Sequence, residues 1–68
     1  MKVYHGNVRF SGKTAKVIVA EWEWESAKNQ PERIRKDNHE DIYRGVVHAA
    51  DEKSAQKKLL TMAMKVKS

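Results

Sequence analysis

Residues 3–20 read VYHGNVRFSGKTAKVIVA, and this stretch decides the fold because apolar and polar residues alternate on both sides of one short turn. Alternation with a period of two is typical of a β-strand. A glycine within a two-residue loop supplies the positive φ that a tight hairpin turn needs. The sequence therefore predicts an antiparallel hairpin, with strands at about residues 3–10 and 14–26 joined at Ser11-Gly12.

The position of this turn predicts which strand residues share a face. With a two-residue loop, we expect Phe10 opposite Lys13 and Tyr4 opposite Val19. One face then carries an apolar set: Tyr4, Val8, Phe10, Ala15, Val17 and Val19. The other face carries a mixed set: His5, Asn7, Arg9, Lys16, Ile18 and Ala20. A three-residue turn is the alternative, and it would exchange the two faces of the second strand.

Beyond the hairpin, the sequence predicts a polar connector, a third strand and a helix. The connector covers residues 27–41 and contains either one helical turn that begins at Pro31 or an open loop. The third strand covers residues 42–50. Asp51 has the position of a helix N-cap, and apolar residues at spacings of three and four indicate a helix over about 52–66. We therefore expect a single small α+β domain of order β-β-β-α, with the helix packed on one face of a three-stranded antiparallel sheet.

Length and composition exclude several classes of protein. The chain has 68 residues, no cysteine and a net charge of +5. A chain of this size buries only roughly 60% of its surface, which leaves little room for a deep substrate pocket. Without cysteine there is no disulfide, thiol nucleophile or cysteine-ligated zinc. No apolar run approaches the ~20 residues of a membrane span, and no signal-peptide core is evident. We expect a cytoplasmic protein that is not an enzyme and needs no cofactor or metal.

The basic composition points to an anionic partner. Fourteen Lys and Arg residues stand against nine Asp and Glu residues, a balance common in proteins that bind nucleic acid. Cations concentrate in the connector and on the predicted helix. The predicted nucleic-acid contacts are Lys28, Arg33, Arg35, Lys36, Lys53, Lys57 and Lys58. A solvated surface is the alternative explanation, since a net charge of ~2–8 is ordinary for a small domain.

Two tryptophans suggest a second contact surface. Residues 21–25 read EWEWE, and alternation along a strand places both indoles on one face. An exposed pair would favour a protein contact or a base-stacking platform, whereas a buried pair would belong to the core. Two apolar helix residues form a further small strip. The predicted partner interface, in a homodimer or with another protein, comprises Trp22, Trp24, Leu60 and Met64.

Three histidines are the remaining candidates for chemistry. His39-Glu40-Asp41 has the residue types of a metal site, but adjacent residues rarely converge on one ion. His5 and His48 would become neighbours only if the third strand paired beside the first. Because nothing supplies an acid–base geometry, we predict no catalytic, metal or cofactor site.

The order β-β-β-α, with basic residues early in the final helix, is similar to the last four elements of a double-stranded-RNA-binding domain. That family's first helix and its glycine-flanked lysine cluster have no counterpart here, so its binding residues are not carried over. The small size and the lack of motifs fit accessory proteins of phages and mobile elements. The sequence thus predicts a basic module that binds nucleic acid or another anionic partner. A protein-interaction or inhibitor protein is the alternative.

Overall fold

The computed structural model describes residues 1–37 and 41–67 as a four-stranded sheet with one long helix. The elements are β1 (Lys2–Ser11), β2 (Thr14–Glu21), a short 3-10 helix (Glu25–Asn29), β3 (Arg33–Lys36), β4 (Ile42–Ala49) and α1 (Glu52–Lys67). Neighbouring strands are antiparallel in the order β2-β1-β4-β3. Helix α1 contacts all four strands from one side. We call that side the covered face and the opposite side the open face.

The predicted α+β class, with an antiparallel sheet and a C-terminal helix, is confirmed, but the predicted count of three strands is wrong. The additional strand, β3, lies in the connector that the sequence assigned to a loop or a helical turn. Arg33 pairs opposite Val46, and Lys36 pairs opposite Tyr43. A four-residue strand of mostly charged residues carries almost no periodic signal, and Pro31 resembled a helix start. The order β-β-β-β-α therefore departs from the last four elements of a double-stranded-RNA-binding domain.

The hairpin turn lies one residue later than the sequence predicted. Gly12 and Lys13 form the loop, and Gly12 has a φ of 59°. A positive φ at the first loop residue alone matches the pattern of a type II′ turn. As a result Phe10 pairs opposite Ala15, not opposite Lys13. This register differs from the predicted one by two residues, which leaves every side chain on its predicted face.

The main core lies between α1 and the covered face. Its buried members are Tyr4, Val8, Val19, Tyr43, Val47, Ala49, Ala55, Leu59 and Ala63. Gly6 and Gly45 lie opposite each other in β1 and β4 on this face, and α1 approaches the sheet closely at Gly45. A Cβ atom at Gly45 would lie 2.9 Å from Leu59 Cδ1 and 2.5 Å from the Arg33 carbonyl oxygen. The absence of a side chain at Gly45 is therefore what lets Leu59 reach the sheet.

Strand β2 ends at Glu21, well before its predicted end at residue 26. The Trp22 N–H still donates to the Val3 carbonyl oxygen at 2.8 Å, and the chain then enters the 3-10 helix. Ala27 of that helix is buried with Val3 and Val46, and Trp22 packs against this second cluster. The second cluster lies on the open side of the sheet, so the chain itself covers one end of the open face.

Both ends of α1 are fixed to the rest of the protein. At the start, Asp51 Oδ1 accepts a hydrogen bond from the Ser54 N–H at 2.8 Å, which confirms the predicted N-cap. This bond holds the pKa of the Asp51 carboxyl below its ordinary value. At the end, Lys67 Nζ lies 2.9 Å from Asp41 Oδ2 and 4.2 Å from the centroid of the Phe10 ring.

In the part of the chain that the structure describes, no helix is both long enough and apolar enough to cross a membrane.

The close approach of α1 to Gly45 predicts that this position tolerates no side chain. Gly45→Ala should lower the free energy of unfolding by about 1–3 kcal/mol, because the new methyl group would overlap Leu59 and the β3 backbone. Urea denaturation followed by far-UV circular dichroism measures this change. Ala15→Val, which enlarges an exposed strand residue, is the control and should stay within about 0.5 kcal/mol of wild type. Equal stability of the two variants would contradict this account of the core.

Candidate functional site

The structure divides the predicted basic contacts between the two sides of the sheet. Arg33 and Arg35 alternate onto the open face, while Ile34 between them packs against the main core. Lys36 alternates to the covered side. The three predicted helix lysines lie on α1, beyond the covered face: Lys53, Lys57 and Lys58. The predicted set does not form one continuous surface.

Two lysines of the predicted set already form ion pairs within the protein. Lys58 Nζ lies 2.6 Å from Glu32 Oε2 and donates to the His48 carbonyl oxygen at 3.1 Å. Lys28, in the 3-10 helix, lies 3.6 Å from Glu25 Oε1. These two lysines are therefore poorer candidates for external phosphates than their positions in the sequence suggested.

All four arginines of the chain lie on the open face. Arg9 comes from β1, Arg44 from β4, and Arg33 and Arg35 from β3, and all four are exposed. Lys16 of β2 pairs opposite Arg9 and adds a fifth cation. Alternation in the sequence predicts which residues of β1 and β2 lie on this surface. It does not predict the contribution of β3 and β4, because that depends on the formation of β3 and on the pairing of β1 with β4.

The centre of the open face is a shallow depression of about 460 Å³. Its floor includes one row across three strands, in which Asn7 pairs opposite Arg44 and Arg44 pairs opposite Arg35. Arg44 Nε lies 3.2 Å from Asp37 Oδ2, which fixes one guanidinium in place. The Arg35 side chain makes no hydrogen bond or ion pair with any of the described residues. Its guanidinium therefore has its donors directed to solvent.

The two tryptophans lie at one end of the open face in different environments. Their ring centroids are 6.5 Å apart and their planes are tilted by 56°. Trp22 packs on the second cluster and meets His5 edge-to-face, with the centroids 5.8 Å apart. Trp24 is 71% exposed. The pair is therefore one partly buried ring that supports one exposed ring.

A second depression, of about 580 Å³, joins the tryptophans to the arginines. Trp22, Trp24, Glu21 and Glu23 line it, together with three residues that also line the central depression. Those shared residues are His5, Arg33 and Val46. The two depressions are therefore adjacent. We call the surface formed by the four arginines, Lys16, His5, Asn7 and the two tryptophans the open-face site.

The predicted partner interface is divided in the same way as the predicted basic set. Leu60 is partly buried against the main core, and Met64 is 56% exposed on α1. Trp22 and Trp24 lie on the other side of the sheet. These four residues therefore do not form one surface.

Two of the three histidines, His5 and His48, lie among the described residues, on the open face. His5 and His48 lie diagonally on adjacent strands, since β1 pairs with β4. His48 Nε2 lies 2.6 Å from the Gln30 carbonyl oxygen, so this nitrogen carries the proton and donates it. His39 lies outside the described residues. Among residues 1–37 and 41–67, no three His, Cys, Asp or Glu side chains are grouped as metal ligands.

Glu32 connects the start of β3 to β4 and to α1. Its Oε2 accepts hydrogen bonds from the His48 backbone N–H at 2.8 Å and from Lys58 Nζ at 2.6 Å. The β3–β4 register places Pro31 opposite His48, and proline has no N–H to continue the ladder. Two side chains satisfy the backbone groups of His48 instead: Lys58 Nζ donates to its carbonyl oxygen, and the Glu32 carboxylate accepts from its N–H. Desolvation raises the pKa of Glu32, but the hydrogen bonds from Lys58 and His48 outweigh it and hold the pKa below its ordinary value.

This anchor predicts a pH-dependent contribution to stability. A carboxyl whose pKa is lowered by folding stabilises the folded state above its unfolded pKa of 4.5, and the contribution is lost as pH falls through the folded pKa. Glu32→Gln should lower the free energy of unfolding by about 0.5–1 kcal/mol at neutral pH, a small value because the pair is partly exposed. The difference from wild type should shrink as pH falls below 4.5.

Urea denaturation of both proteins between pH 7 and about pH 3 tests this expectation. Glu25→Gln is the matched control, since the Glu25 carboxylate is 94% exposed and its substitution should change little at any pH. A difference between wild type and Glu32→Gln that is equally large at both ends of the range would show that the carboxylate charge is not responsible.

Comparisons of the chain with protein-family models, with curated proteins and with solved structures found no match in any of the three.

Proposed function

We propose that this protein binds nucleic acid through the open-face site. The observation that carries the proposal is the position of all four arginines on the sheet face opposite α1. A guanidinium offers a planar fork of donors that matches a phosphate in two parallel hydrogen bonds. Four such groups on one continuous surface can contact several phosphates of a single ligand at once.

The geometry favours this surface over the predicted set that included the helix lysines. Affinity for nucleic acid grows with the number of phosphates neutralised together, because each contact releases condensed counterions. Arg33 and Arg35 of the predicted set remain in the proposal, and Arg9 and Arg44 join them. Lys53 lies on α1, on the other side of the sheet, and would not reach the same ligand.

Substitution of Arg35 provides the sharpest test. Arg35→Ala removes a guanidinium that supports no other group in the described structure. We expect the Kd for a fluorescently labelled oligonucleotide to rise about tenfold at about 50 mM salt. The slope of log Kd against log salt should fall by about one. Fluorescence anisotropy titrations at several salt concentrations measure both quantities.

Lys53→Ala is the matched control, because it removes the same charge from an exposed position on the other side of the sheet. Its Kd should stay within about twofold of wild type. Two results would refute the proposal: a wild-type protein that binds no nucleic acid at low salt, or a loss of affinity in Lys53→Ala as large as that in Arg35→Ala.

A homodimer formed through the open face is a second candidate, favoured by two exposed apolar side chains on that side of the sheet. Ile18 is 51% exposed on β2, and Trp24 lies at the end of the same face. Burial of large apolar side chains at the centre of an interface stabilises protein association. The dimer and the nucleic acid would use the same surface, so they would compete for it.

Light scattering at tens of micromolar protein separates these two candidates. A homodimer should have twice the 7.9 kDa mass of the chain, and Ile18→Ser should return it to the monomer. An oligonucleotide should also dissociate the dimer. A constant mass of 7.9 kDa over the whole concentration range would exclude the homodimer, and nucleic acid would remain the candidate ligand of the open face.

A further inference from the structure

We infer that the ligand of the open-face site is single-stranded nucleic acid, with one base stacked on Trp24 and the adjoining backbone phosphates held by the arginines of β3. This inference rests on the proposed function and deepens it, because it selects one form of nucleic acid and assigns a separate role to the tryptophan.

The exposed indole is the first argument. Trp24 is 71% exposed, and its ring is tilted by 56° from that of Trp22, so it is not stacked against its neighbour. A single strand can place an unpaired base on such a ring, and stacking of this kind tolerates any base. A duplex keeps its bases stacked inside and would have to unstack one to reach the same ring. An exposed indole beside arginines therefore favours the single strand.

The shape of the surface is the second argument. Proteins that read duplex DNA in the major groove insert a helix or a two-stranded ribbon into it. The long helix, α1, lies on the covered side of the sheet and is not part of the open-face site. The open-face site instead consists of two shallow depressions, of about 460 and 580 Å³, that share part of their lining. A flexible strand can lie along such a surface.

Arg33 lies at the point where the two depressions meet, and this position is the third argument. It lines both the tryptophan end and the arginine-rich centre. Its Nη1 donates to Gln30 Oε1 at 3.0 Å, which orients the guanidinium and leaves Nε and Nη2 for a phosphate. Arg35 follows two residues later on the same strand face, about 7 Å further on. A nucleotide with its base on Trp24 would thus meet Arg33 first and Arg35 next.

The acidic residues at the tryptophan end of the open-face site indicate which way the backbone of the bound nucleic acid runs. Glu21 and Glu23 line the same depression as Trp24. Lys2 Nζ lies 3.8 Å from Glu21 Oε1 and partly offsets that charge, so it is mainly the Glu23 carboxylate that would repel phosphates near the end of β2. An uncharged base can approach there. The backbone of the ligand is therefore expected to run from Arg33 towards the centre of the open face, and only a base is expected to occupy the tryptophan end.

The test compares single strands with duplexes of the same length. Labelled oligothymidylate and oligouridylate of roughly a dozen nucleotides, and mixed-sequence DNA and RNA duplexes of that length, are titrated by fluorescence anisotropy at about 50 mM salt. At least one single strand should bind about tenfold more tightly than either duplex. Whether oligothymidylate or oligouridylate binds better distinguishes DNA from RNA as the source of the strand, and either result supports the inference.

Three variants separate stacking from general attraction. Trp24→Ala should weaken single-strand binding about tenfold and leave duplex binding within about twofold, while Trp24→Phe should recover most of the loss. Met64→Ala is the control, because Met64 is a similarly exposed apolar residue on the other side of the sheet. In a Trp22→Phe background, the fluorescence of Trp24 should be quenched by the single strand.

The outcomes also separate this inference from the proposed function. If duplexes bind as tightly as single strands, or if Trp24→Ala leaves the single-strand Kd unchanged, the inference is overturned, and the proposed function survives provided that Arg35→Ala still weakens binding. If no nucleic acid binds in either form, both fail together.

Discussion

The pairing of β1 with β4 is the constraint on which the other features depend. It places Gly6 beside Gly45 at the middle of the covered face, and Leu59 of α1 packs where a side chain at Gly45 would otherwise lie. Because side chains alternate along a strand, the same pairing sets Asn7 beside Arg44 on the opposite face. The packing of the helix and the grouping of the arginines are therefore two consequences of one register. A slip of one residue in either strand would exchange the two faces of that strand and disrupt both.

The helix covers one face of the sheet, which leaves apolar residues of the open face to be buried in another way. Part of the open face is covered by the chain itself. The 3-10 helix brings Ala27 over Val3 and Val46, and Trp22 closes the side of this cluster. The cluster has few members, but it fixes the end of β2 and the segment that leads into β3. Trp24, two residues after Trp22, stays exposed in the same arrangement. The exposed ring is thus held on a packed support and not on a free loop.

The sequence was sufficient for the hairpin, the N-cap and the faces of the first two strands, because each of these follows from local chemistry. Alternation over residues 3–20 specified the faces, and a register different by two residues did not alter them. Strand β3 could not be predicted in this way. Its four residues form a strand because the outer edge of β4 pairs with them, a non-local contact that leaves no periodic pattern in so short a segment. The sequence analysis named Arg33 and Arg35 of the candidate site and missed Arg9 and Arg44, because only the non-local pairing of β1 with β4 and of β4 with β3 brings the four together.

The division of cations between arginine and lysine follows the division of the molecule into a rigid sheet face and a solvated helix. Each arginine on the open face extends from a strand whose position is fixed by pairing, and Arg44 is further held by Asp37. Lysines dominate on α1, where Lys58 and Lys67 attach the helix to the sheet through Glu32 and Asp41. A guanidinium on a fixed strand loses less conformational freedom on binding than an ammonium on a long flexible stem. Residue type, and not net charge alone, therefore distinguishes the open face from the outer surface of α1.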